Sequence, residues 1–252
     1  MKGQGSMLYS LSPKEGSSPR AVLSVSGKEE RLEGCGWVSN DRLVCALSGY
    51  LTTAEQRSYF TRKVAIDADG KNPKILSDRG DPLSFGPVNT FGGSVIARLP
   101  ESASVLMARV TVADEHVGTR LGSSREGLRV DRVDTRSGSA TTVEPPNPLA
   151  EGYIADSDGV VRVMQVRQQR RGGYDTAQEE YLFRRDSRGK WETLSSWDPM
   201  SHSGFLPLHV VDDKVYGLAP KDGHLAAYSM PLDGTMDKTL VFAAPDVDVT
   251  GF

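Results

Sequence analysis

Few residues in this chain combine a type and a spacing that could do chemistry. The four histidines, His116, His202, His209 and His224, each stand alone in sequence and read as structural. Asp246 and Asp248 share one face of an extended segment at i, i+2, a spacing suited to general acid and base work or to half of a cation site. Pro245 before them and Val247 and Val249 beside them look like the start of a strand instead, so a structural role is preferred. Arg170 and Arg171, with Tyr174 nearby, offer guanidinium forks for a carboxylate or for a neighbouring domain, and a solvated hairpin tip is the plainer reading. A serine nucleophile needs the Gly-x-Ser-x-Gly elbow, whose small neighbours permit the strained turn that exposes the hydroxyl. No serine here has glycine at both offsets; Ser6 after Gly5 and Ser203 before Gly204 come nearest. Neither a Walker-type phosphate loop nor a dinucleotide fingerprint occurs. No catalytic, cofactor-binding or metal-ligating residue is therefore assigned, and no cofactor is expected.

Two cysteines, Cys35 and Cys45, flank what reads as a hairpin built on the turn pair Asn40-Asp41. A register that set them opposite each other would allow a cross-strand disulfide, and two buried thiols fit the pattern as well. With no C-x-x-C pair or His/Cys cluster beside them, they make no zinc site.

The elements that must carry these residues are short β-type runs punctuated by Gly, Asp, Asn and Pro, with little helical spacing. One polar unit recurs four times as strand, Asp/Gly turn, strand. Its copies are Lys63 to Gly70 leading to Lys74-Ile75-Leu76; Leu128 to Gly138 leading to Ala140 to Val143; Tyr181 to Gly189 leading to Lys190 to Leu194; and Leu225 to Gly234 leading to Thr239 to Phe242. Asp suits these turns by bonding its own backbone, and Gly by accepting positive φ. More apolar hairpins alternate with them: Trp37 to Ala46; Ser94 to Leu99 with Val105 to Ala108; Gly152 to Ala155 with Val160 to Met164; and Leu206 to Val211 with Lys214 to Leu218.

Two hairpins make a four-stranded antiparallel sheet, and face-to-face packing of such sheets around an axis buries both faces of each. The chain is therefore expected to be an all-β propeller of about four blades, complete or open, with a β-sandwich as the rival. In that arrangement the apolar hairpins lie nearer the axis, and Trp37, Trp191 and Trp197 fill gaps between blades. Three tryptophans do not make a stacking platform for sugars or single-stranded nucleic acid. A long loop is expected at about Asp78 to Phe91, an exposed one at Gln168 to Asp175, and a connection between blades at Glu144 to Pro148.

Three segments resemble the N-terminal propeller of the prolyl oligopeptidase family of serine peptidases, the group with bacterial dipeptidyl-peptidase-like and acylaminoacyl-peptidase-like members. They are Gly36 to Val44, with its Trp, Asp-Arg and strand; Lys63 to Leu76, with Asp-x-Asp-Gly between strands; and Asp222 through Asp233-Gly234 to Val249. The likeness spans about residues 20 to 252. It implies seven or eight blades over the mouth of a C-terminal α/β-hydrolase domain that carries a Ser-Asp-His triad, so that peptides pass and folded proteins do not. It also implies an envelope or secreted home. With neither the elbow nor alternating strands and helices here, that catalytic domain is expected to lie outside this chain, which then reads as a fragment that hydrolyses nothing by itself. The alternatives are a stand-alone TolB-like propeller that binds a protein or peptide, and a propeller hydrolase with an axial metal.

Length and composition agree with this picture. The 252 residues form one domain, 1-252, in which 1-20 is expected to be poorly ordered. Hydrophobic residues are 38% of the chain, too many for disorder, and 30 basic against 33 acidic residues leave a net charge of -3. That balance, with no long basic stretch, predicts no grip on nucleic acid, and no run is apolar enough to span a bilayer. Expected partners are a peptide substrate, the hydrolase domain, and a further copy met through exposed sheet edges.

Overall fold

The computed structural model describes residues 5–28, 30–52, 57–77, 91–112, 125–166 and 178–251. Their backbone divides into two compact units, Met1–Pro145 and Pro146–Phe252.

The first unit opens with a two-stranded hairpin, β1 (Ser6–Ser10) and β2 (Arg20–Val25). Blade one follows as β3 (Glu30–Ser39), β4 (Arg42–Thr52), β5 (Arg57–Asp67) and β6 (Lys74–Ile75), and blade two as β7 (Ser94–Leu99), β8 (Ser104–Thr111), β9 (Gly127–Asp134) and β10 (Ala140–Asn147). The second unit carries blade three, β11 (Ala150–Ala155), β12 (Val161–Val166), β13 (Glu179–Phe183), β14 (Glu192–Asp198) and the short β15 (Ser203–Gly204). Blade four is β16 (Leu206–Val211), β17 (Lys214–Lys221), β18 (His224–Pro231) and β19 (Thr239–Phe242). In every sheet each strand pairs with its neighbour in sequence. The fold is all-β, and the four antiparallel sheets are the blades of a four-bladed β-propeller.

Each blade is one apolar hairpin followed by one polar hairpin, as the alternation predicts. The turn chemistry also follows the sequence. Asp134 Oδ1 accepts the N–H groups of Arg136 at 2.9 Å and Ser137 at 2.6 Å, while Gly138 takes φ 78°. Asp67, Asp156, Asp186, Asp198 and Asp233 likewise use side-chain or main-chain oxygens to close their turns. Burial differs from expectation. It peaks on the second and third strands rather than on the first: β8 is buried from Ser104 to Arg109, whereas Val38 is the buried residue of β3. A middle strand has sheet neighbours on both sides, so covering both faces encloses it, and a first strand keeps one open edge.

Within the first unit, alternate residues of blade one serve two cores. Val38, Val44 and Ala65 meet Val105, Met107 and Val133 of blade two. On the opposite face Leu43, Cys45 and Ile66 lie under Leu8, Val22 and Leu23 of the β1–β2 hairpin. In the second unit Phe183, Leu194 and Trp197 pack with Phe205, Val215 and Met230. Buried arginines join successive blades within a unit. Arg42 donates to Asp67 at 2.7 Å, to the Asn72 carbonyl at 2.9 Å and to the Thr135 carbonyl of blade two. Arg162 reaches Asp156 at 3.2 Å and Asp213, in the blade-four turn, at 2.8 Å.

Some local expectations are corrected. Glu144 to Asn147 is not a connection but the end of β10, an edge strand, where the missing N–H groups of Pro145 and Pro146 leave no inner ladder unpaired; only Pro148 and Leu149 turn toward β11. Strand β1 lies inside the stretch 1-20 expected to be poorly ordered. Most of the Asp78 to Phe91 and Gln168 to Asp175 loops, with Arg170, Arg171 and Tyr174, falls outside the described residues, as does His116.

Candidate functional site

The structure places a groove of about 720 Å³ at the turn end of blade one. One wall is the β1–β2 loop, from Ser10 through Ser18, with Arg20 at the start of β2; the other is formed by Trp37, the Asn40-Asp41 turn and the Asp67-Ala68-Asp69 turn. Ser10 Oγ donates to the Ala68 carbonyl at 2.6 Å and joins the two walls. The loop keeps its own form through Lys14 N–H on Ser12 Oγ at 3.3 Å and Ser17 N–H on the Lys14 carbonyl at 3.2 Å.

The aspartates of the second wall are held by cations of the chain itself. Asp41 accepts Ser39 Oγ at 2.7 Å and meets Arg136 at 2.7 Å, and these two bonds hold its carboxyl below the usual carboxylate range. Asp67 takes Arg42 at 2.7 Å. Asp69 takes Lys71 at 3.0 Å, and the lysine's side-chain and main-chain bonds hold that carboxyl down too. Trp37 is 50% exposed beside Leu11, which is 61% exposed. It does not fill a gap between blades as expected, whereas Trp197 is buried in the core of the second unit and Trp191 lies under the Arg184 guanidinium at 4.6 Å. An indole, an aliphatic side chain and a proline beside hydroxyls and a guanidinium form a surface suited to an extended peptide, with apolar contact area and donors on one wall.

Among the described residues, the others singled out for chemistry are not brought together as a reactive centre. His224 is not alone: its Nδ1 lies 3.4 Å from Asp248, and Asp248 also accepts the Leu225 N–H at 2.7 Å. Among the described residues no hydroxyl is bonded to His224, so the pair lacks a nucleophile and instead ties the segment after β19 to β18, helped by Val249 N–H on the Leu225 carbonyl at 2.9 Å. Asp246 and Asp248 lie in no strand, contrary to the strand start their neighbours suggest. His202 stacks on Trp197 with ring centroids 5.9 Å apart. Ser203 Oγ pairs with Ser201 Oγ at 2.9 Å. Among the described residues no three His, Cys, Asp or Glu side chains gather as a metal site.

Cys35 and Cys45 are opposite each other in the β3–β4 register and are joined by a disulfide, with Cα atoms 4.0 Å apart. The bridge sits beneath the β1–β2 hairpin, in the core that positions the groove wall. Sequence reasoning missed the groove because its first wall was expected to be poorly ordered. The signal available was the β-branched, apolar run Arg20 to Val25, in which Val22 and Val25 are buried and Ser24 is exposed. Compared with known proteins, the chain matches no protein-family model and no curated protein.

Proposed function

We propose that the chain is a non-catalytic, peptide-binding propeller, and that it serves as the substrate filter of a serine peptidase like those of the prolyl oligopeptidase family. The observation that carries peptide binding is the groove at Trp37, with an exposed indole on one wall and Leu11, Pro13, serine hydroxyls and a guanidinium on the other. The peptidase context is supported by the likeness of Gly36 to Val44, Lys63 to Leu76 and Asp222 to Val249 described above. The catalytic step in that context belongs to a hydrolase domain that closes on the propeller.

A second reading, a stand-alone interaction module of the TolB-like kind, is favoured by the β1–β2 hairpin, which covers one face of blade one with the chain's own residues. Two measurements on the purified chain test these readings. Fluorescent peptides of six to nine residues are expected to bind, with affinity lost in Trp37→Ala; failure of every peptide to bind overturns peptide recognition. A fluorogenic dipeptide is expected to remain uncleaved, and turnover blocked by a serine reagent would overturn the non-catalytic assignment.

A further inference from the structure

The charges of the groove are unevenly satisfied. Its three carboxylates each hold a cation from the same chain: Asp41 with Arg136, Asp67 with Arg42, and Asp69 with Lys71. Arg20, the one cation lining the groove among the described residues, is exposed; its charge is felt by Asp69 across the groove, but among the described residues it makes no ion pair or side-chain hydrogen bond. Near it on the same wall, the hydroxyls of Ser17 and Ser18 are also uncommitted among the described residues. The ligand that this arrangement lacks is therefore an anion with apolar surface attached. A guanidinium fork donates two parallel hydrogen bonds to a carboxylate, a geometry an ammonium cannot reproduce.

We propose that the groove captures the C-terminal carboxylate of an extended peptide, with Arg20 binding the carboxylate and Trp37, Leu11 and Pro13 receiving the apolar side chain of the last residue. This rests on the peptide-binding reading above and names its ligand. A C-terminal residue suits the site better than an internal acidic one because it carries the carboxylate and an apolar side chain on a single carbon, so that one residue engages both Arg20 and the apolar surface. The volume of about 720 Å³ accommodates a terminal segment of a few residues.

The test uses three fluorescein-labelled hexapeptides measured by polarisation: Gly-Ser-Gly-Ala-Val-Leu as the free acid, the same peptide as the amide, and an amidated form with Glu replacing Val. The free acid is expected to bind at least tenfold more tightly than either amide. Arg20→Gln is expected to remove that difference, and Arg20→Lys to restore part of it. Trp37→Ala is expected to weaken the acid and the amide alike. Arg20 is exposed, so its variants should fold, and circular dichroism checks that they do. Equal binding of acid and amide overturns carboxylate capture and leaves peptide binding standing. Tighter binding of the Glu-containing amide overturns the C-terminal assignment. No binding of any peptide overturns both readings together.

Discussion

At the scale of single residues, the arginine that begins β4 carries an unusual share of the first unit. Arg42 is fully buried and its fork spans a carboxylate and two carbonyls, so removing it takes the nearest cation from Asp67, which keeps only the Asn72 amide at 2.7 Å and the more distant Arg136 at 3.6 Å, and leaves backbone acceptors without a donor. Arg42→Met is expected to lower the urea-unfolding free energy by about 3 kcal/mol. Arg42→Lys should lose nearly as much, because one ammonium cannot reach acceptors set in a fork. Acid titration is a second residue-scale test. Asp134, Asp198, Asp233 and Asp248 are held below the usual value of 3.8, in each case first by a hydrogen bond from a backbone N–H. A carboxyl depressed in the folded state stabilises it fully above the unfolded value and loses that contribution as pH falls through the folded one. Urea midpoints should therefore hold steady down to about pH 4 and decline below it, with a shallower decline in Asp134→Ala. A midpoint that rises on acidification contradicts this account.

At the scale of strands and turns, close approach explains more than propensity does. Gly217 sits within β17, where an added Cβ would lie 2.2 Å from the Leu206 carbonyl oxygen and 2.7 Å from the Phe205 ring. Both are held by the packed sheet, so Gly217→Ala is expected to destabilise by roughly 3 kcal/mol, seen as a lower thermal midpoint. Nothing in the sequence marks that glycine as different from one in a turn, because the crowding comes from the neighbouring strand. The Cys35–Cys45 bridge shows the same limit, since the hairpin was legible but its register was not: one residue of slip would have put the thiols on opposite faces. Replacing both cysteines with serine, or adding a thiol reductant, is expected to reduce stability by about 2–3 kcal/mol in unfolding experiments.

At the scale of the whole molecule, the four two-tone repeats were sufficient to read the blades, because turn chemistry and strand alternation are local and every sheet pairs sequence neighbours. The candidate site was not legible in the same way. It depends on which cations in the fold already hold Asp41, Asp67 and Asp69, and the cation on Asp41 comes from a turn 95 positions along the chain. That separation of local from distant contacts has a kinetic consequence. On a ribosome delivering roughly 5–20 residues per second, each strand can meet its partner within seconds of emerging, and hairpins close without waiting for remote segments. The bonds from Arg42 to Thr135 and from Arg136 to Asp41 form only after blade two exists, and so they belong late on the folding path. Weakening them should leave the refolding rate nearly unchanged and make the native state come apart faster. These two arginines would then govern how long the first unit lasts once made.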